Sequence, residues 1–147
     1  MRVAINLQAR NANTIKMRAL LPLIEAILMC AAKHKYRPIA DMNAAYEQLQ
    51  VIPEHVPRTM VATPDGNMDS EVMQIGDVNA ATSWQTFMNH EFSAYIGVFM
   101  DVYLDDIIIY SDSVEEHVKH IRMVFQTLHQ AQLYMTKKKV HLFTDEL

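Results

Sequence analysis

Cysteine is nearly absent. Cys30 stands alone among 147 residues, so no disulfide can form within the chain, which suits a reducing compartment. No apolar run approaches the ~18 residues of a bilayer-spanning helix. Met1–Leu7 does not lead from charge into an apolar core, so neither a membrane segment nor a secretory signal is expected. Positive charge is not in excess either: 13 Lys and Arg face 17 Asp and Glu, for a net charge of −4. A free-standing nucleic-acid binder usually carries a basic surface. This balance argues against a chain that grips a duplex alone, and it leaves room for a catalytic piece whose partners bind elsewhere. Internal repeats and low-complexity segments are lacking. Half of the residues are hydrophobic, which excludes a disordered chain, and the length suits one domain with a core. Eleven Met supply adaptable core filling.

The chain is organised around Val98–Tyr110, VFMDVYLDDIIIY. Two apolar runs, Val98–Val102 and Ile107–Tyr110, flank Leu104-Asp105-Asp106. Branched and aromatic residues on either side predict strands, and Asp at the centre predicts a turn. The expected object is a β-hairpin with two adjacent carboxylates at its tip. Such a pair can be no more than an acidic turn, but a rigid mount beside a core is also what a metal site needs.

Tyr103-Leu104-Asp105-Asp106 resembles the YLDD signature of reverse transcriptases, and the flanks are most similar to the gypsy class of LTR retrotransposons. YLDDIIIYS at 103–111, the spaced His117 and His120, and Lys137–Lys139 all follow that pattern. Two further segments extend the resemblance. Asp41–Leu49 is similar to the first palm motif, D-L-x-S-G-Y-x-Q-I, through Asp41, Tyr46 and Gln48, with Ala44-Ala45 in place of Ser-Gly. Met73–Gln85 is similar to the second, M-P-F-G-L-T-N-A-P-A-T-F-Q, through Met73, Gly76, Asn79, Ala80 and Gln85. Trp84 keeps an aromatic there, while Gln74 and Ala81 replace prolines and Asp77 replaces an apolar residue. In the fingers-like pattern, Arg2, Asn11, Thr14, Ile15 and Lys16 match, whereas Asn6 and Gln8 depart.

The resemblance implies an RNA-directed DNA polymerase working by two-metal nucleotidyl transfer from a dNTP to a primer 3′-hydroxyl. Asp41 and Asp105 would bridge two Mg²⁺ ions, for which Mn²⁺ can substitute, and Asp106 would be the accessory carboxylate. Oxygen ligands suit such hard cations. Arg2 would reach the triphosphate, and Tyr46 would exclude a ribose 2′-hydroxyl, which disfavours an RNA-synthesising polymerase. Gly76 and Gln85 would complete the substrate-binding set. The implied partners are an RNA or DNA template with primer, a dNTP, and other polyprotein domains, in an intracellular setting that includes virus-like particles.

The expected fold class is α+β, a polymerase palm-like antiparallel sheet with helices packed on one face plus partial fingers. Residues 1–35 would be partial fingers and 36–147 palm, with thumb, connection and RNase H absent. Taken alone, several residues suit quieter roles. Asp41 could N-cap a helix, Gly76 could serve an ordinary turn, Arg2 could be a solvated terminal residue and Tyr46 a buried helix residue. A second reading is therefore an inactive retroelement-derived palm kept as an interaction or structural module. The departures at Asn6, Gln8, Gln74 and Ala81, and the acidic charge, favour it.

Local pattern sets the remaining expectations. Met1–Leu7 and Tyr36–Ala40 are predicted strands, the latter an edge strand or one starting at Pro38. Pro22 opens a helix with a stripe of Ile24, Ile27, Leu28 and Ala31. Asp65-Gly66 turns a hairpin between Arg58–Thr63 and Asn67–Met73. Asp77 N-caps a helix in which Trp84, Phe87 or Met88, Glu91 and Tyr95 run along one face, mostly core, and which ends at Gly97. Ser113 and Glu116 form a capping box, opening a helix to Ala131 with a stripe of Val114, Val118, Ile121, Phe125 and Leu128. Asp101 shares a strand face with Tyr103 and Asp105 by period two, where it could disturb metal geometry or face solvent. His117 and His120 lack a third ligand nearby, which speaks against a metal pair.

Overall fold

The computed structural model describes residues 5–18 and 21–140, with backbone only for 136–140. Arg2 and most of the predicted first strand lie outside the described residues. Ile5–Leu7, the described part of that strand, has no regular structure and leads into the short helix α1, Gln8–Ala12. The chain forms two compact units, one from residues 1–18 and 44–84, the other from 19–43 and 85–147.

The second unit holds a four-stranded sheet in the order β4-β5-β1-β6, with β1 Ile39–Met42, β4 Met100–Tyr103, β5 Asp106–Ile109 and β6 Met135–Val140. Every pairing is antiparallel. Strand alternation separates two faces. Ala40, Met42, Met100, Val102, Ile107 and Ile109 share one face and are all buried. The other carries Asp41, Asp101, Tyr103 and Asp106, all half-buried. Its far end is sealed by Ile27 and Ala31 of helix α2, Ile24–Ala31, packed on Ile108 and Tyr110. Pro38 does not put β1 at an edge. It precedes the strand, which lies between β5 and β6, and its carbonyl accepts from Ile109 N–H at 3.2 Å.

Helix α4, Val114–Gln130, begins on the expected cap: Ser113 Oγ accepts from Glu116 N–H at 3.2 Å. Its buried face is rotated from the expected one. His117, Val124 and Leu128 are buried, while Val114, Val118 and Phe125 are exposed. The polar His117 belongs to the core because Ser111 Oγ lies 3.1 Å from its Nδ1 and Tyr36 stacks on its ring. His120 Nδ1 lies 2.8 Å from the same hydroxyl, and Phe99 stacks on its ring at 4.0 Å. Both histidines thus bracket the end of β5. Burial lowers the pKa of His120, against smaller opposing effects of the Tyr110 backbone and Glu116.

In the first unit, strands β2 Val61–Thr63 and β3 Gly66–Met68 make a short hairpin. Thr63 pairs with Gly66, so Pro64-Asp65 rather than Asp65-Gly66 occupies the turn. Residues 53–59 form a 3₁₀ helix with Pro53 at its start, which takes the place of Arg58 and Thr59 at the start of the expected first strand. Every residue of β3 is exposed, Met68 included. Helix α3, Ala80–Glu91, begins in this unit and ends in the other, with Trp84 and Met88 fully buried along it and Phe92 fully buried just past its end. It ends well before Gly97, whose φ of +75° serves instead the turn closed by its N–H on Met100 O at 2.9 Å.

Candidate active site

The β4–β5 hairpin has a two-residue turn, Leu104-Asp105, because Tyr103 pairs with Asp106. Asp106 is therefore the first residue of β5 rather than part of the turn. On the other side of β5, Asp41 lies directly opposite Asp106. Met42 N–H donates to Asp105 O at 2.8 Å, which makes 42/105 a hydrogen-bonded pair and 41/106 the adjacent non-hydrogen-bonded one. Side chains approach most closely at such pairs. Asp41 is thus a strand residue and not a helix N-cap, and its cross-strand neighbour is Asp106, with Asp105 next to it in the turn.

Among the described residues, no three His, Cys, Asp or Glu side chains form a ready-made metal cage. The donor set nevertheless suits a hard divalent ion. The three acids present only oxygen, and Mg²⁺ is commonly held by one or two carboxylates while it keeps several waters.

Under the turn lies Gln85. It has no exposed surface, and its amide is fully engaged inside the unit. Oε1 accepts from Leu104 N–H at 2.8 Å, and Nε2 donates to Val102 O at 3.0 Å and Asn89 Oδ1 at 2.9 Å. Asp101, on the Asp106 face, accepts from Tyr110 Oη at 3.3 Å. Burial raises the Asp101 pKa above the ordinary carboxylate range, against smaller opposing effects of Tyr110 and the Gly97 backbone. Burial first, then the Asp101 charge, pushes the Tyr110 phenol up as well.

Tyr46 and Gly76 belong to the other unit. Tyr46 sits on a 3₁₀ turn, half-buried and edge-on to Trp84 at 6.4 Å. Gly76 has φ +97°, a conformation that glycine adopts without strain, and a Cβ there would meet only Leu7 Cδ1 at 3.6 Å. Conformation rather than crowding therefore calls for glycine. Its loop is held by α1: Asn11 Nδ2 donates to Gly76 O at 2.8 Å, and Asn11 Oδ1 accepts from Val78 N–H at 3.0 Å. Arg10 donates to Gln74 Oε1 at 2.7 Å and pairs with Asp77. Asp77 therefore does not cap α3 with its side chain, because its two oxygens go to Arg10 and the Gln74 N–H. Sequence reasoning missed Arg10. The available signal was that two neighbouring departures, Gln74 and Asp77, are both able to accept from one cation.

A family model described as reverse transcriptase (RNA-dependent DNA polymerase) matches residues 1–147. The chain belongs to the reverse transcriptase family. Its relatives include an RNA-directed DNA polymerase homolog of Oenothera berteroana, 31% identical over 127 residues, covering 84% of this chain and 89% of that protein. The Pol polyprotein of the Drosophila melanogaster transposon 297 is 31% identical over 145 residues, and that of transposon gypsy 27% over 146. Each match covers 99% of this reverse transcriptase chain but 14% of the polyprotein. Among solved structures, a foamy viral protease-reverse transcriptase in complex with double-stranded DNA superposes with a TM-score of 0.90 at 20% identity. That match covers 99% of this chain and 25% of the viral one, and it bears out the α+β palm-like fold. No helix among the described residues is long and apolar enough to cross a membrane.

Proposed function

We propose that this chain is the catalytic core of an RNA-directed DNA polymerase of the gypsy class, with residues 36–147 as palm and 1–35 as partial fingers. The observation that carries the reading is the register that sets Asp41 opposite Asp106 beside the Asp105 turn. Asp41, Asp105 and Asp106 would hold two Mg²⁺, or Mn²⁺ in their place. When bound, such ions activate the attacking hydroxyl and neutralise charge on the phosphate. The reaction joins the primer 3′-oxygen to the α-phosphorus of a dNTP and releases pyrophosphate. The half-buried ring of Tyr46, braced on Trp84, is rigid enough to refuse a 2′-hydroxyl. Gly76 offers a backbone without a side chain to a nucleotide or template. Arg2 is assigned to the triphosphate.

Template, primer and the remaining polyprotein domains are the proposed partners, in an intracellular setting. The engagement of Gln74 and Asp77 by Arg10 favours a working enzyme over an inactive module. It turns two departures from the family pattern into one mutually satisfied set. Primer extension with Mg²⁺ tests the reading: this chain alone is expected to extend weakly, the activity it shows should be lost in Asp105→Asn, and the same measurable extension by both rejects the reading.

A further inference from the structure

The turn that carries Asp105 is unusual in its chemistry. Leu104 has φ +52°, whereas Asp105 is not among the positive-φ residues. A two-residue hairpin turn with positive φ at its first position is normally given to glycine. A leucine there is strained and persists only where its surroundings over-determine it. The neighbouring backbone raises a second demand. Tyr110 N–H bonds to Phe99 O, so the alternation along β4 leaves Val102 in a non-hydrogen-bonded pair with Ile107. The Val102 carbonyl therefore points away from β5, and β4 is an edge strand with no further strand beside it among the described residues. One buried side chain answers both demands. Gln85 accepts from the strained Leu104 N–H and donates to the outward Val102 carbonyl, and Asn89 Oδ1 fixes which end of its amide is which.

We propose that Gln85 is a positioning residue for the acidic tip. From rigid helix α3 it clamps the backbone on both sides of Tyr103 and so holds the Leu104-Asp105 turn in the conformation that presents Asp105 and Asp106 to a divalent ion. The role rests on the reading of those acids as metal ligands. It differs from the substrate contact implied by resemblance, because the buried amide has no free edge to offer a nucleotide.

The test uses Gln85→Met, which keeps length and volume and removes both hydrogen-bonding ends. Two quantities are read: exchange of the Leu104 amide hydrogen relative to that of Val124 in α4, and Mn²⁺ affinity at a temperature where both proteins are folded. The Val124 reference cancels general destabilisation. The expected result is Leu104 exchange at least ~10-fold faster on this ratio, together with Mn²⁺ binding weakened ~10-fold. Unchanged Mn²⁺ affinity overturns the positioning role, whatever the exchange shows. Weakened affinity with unchanged Leu104 exchange overturns it too. If Gln85→Met does not fold, Asn89→Ala leaves the amide but frees its orientation. Smaller changes of the same sign, ~3-fold in each quantity, are then expected, and none in either refutes the role. Asp105→Asn separates the two ideas: if it binds Mn²⁺ as the parent does, the ligand reading itself has failed, and the positioning role goes with it.

Discussion

Asp106→Asn should make the protein more stable without metal and less responsive to it. Asp41 and Asp106 are directly opposed at a non-hydrogen-bonded pair, where Cα atoms lie about 4.5 Å apart. Like charges so placed cost ~0.2–1 kcal/mol, and partial burial of both residues limits screening, which favours the upper half of that range. For a chain of 147 residues this corresponds to a rise in Tm of roughly 1–4 °C in EDTA. With Mn²⁺ at a hundred times its dissociation constant, the parent gains about 2.7 kcal/mol by linkage. A tenfold weaker site in the variant would gain about half of that. The two melting curves therefore cross: the variant melts higher in EDTA and its Mn²⁺-induced rise is about half the parent's or less. Thermal melts followed by circular dichroism, with and without Mn²⁺, read both numbers. A variant that melts no higher than the parent in EDTA and keeps the full Mn²⁺ gain would refute the view that these carboxylates face one another and share an ion.

Asp101→Asn tests the buried acid on the same face. Because the folded pKa of Asp101 is raised, its ionisation opposes folding as pH rises through that value. The variant should unfold at higher urea than the parent at pH 7, and the difference should vanish below the unfolded carboxylate pKa of ~3.9. A gap that persists there would assign the effect to packing instead. Gln132→Gly should stabilise by up to ~1 kcal/mol, because Gln132 holds φ +56° at the end of α4. There the Leu133 and Gln132 N–H groups close on Leu128 O and His129 O. A urea midpoint no higher than the parent's would contradict that account.

The hairpin at Val98–Tyr110 was legible because two branched, apolar runs can do little but pair when a short polar centre separates them. The Ser113 cap was legible because its bond is local, three residues along the chain. The α4 stripe was misread because apolar residues recur on two faces of that helix. The choice fell to His117, whose burial depends on Ser111 and Tyr36 and carries no periodic signal. Gly97 and Asp77 looked like helix ends because Gly and Asp suit caps, but their actual partners, Met100 and Arg10, are tertiary or turn contacts outside any cap.

The sequence by itself determined which acids are available and that two of them sit beside a tight turn between apolar strands. Local chemistry suffices for that, and family kinship supplied the third. Only the tertiary structure decided that Asp41 faces Asp106, since register is set by which strand faces are buried. It alone revealed Gln85 beneath the turn, because a glutamine in a helix gives no sign in sequence that its amide will meet an edge-strand carbonyl and a strained N–H.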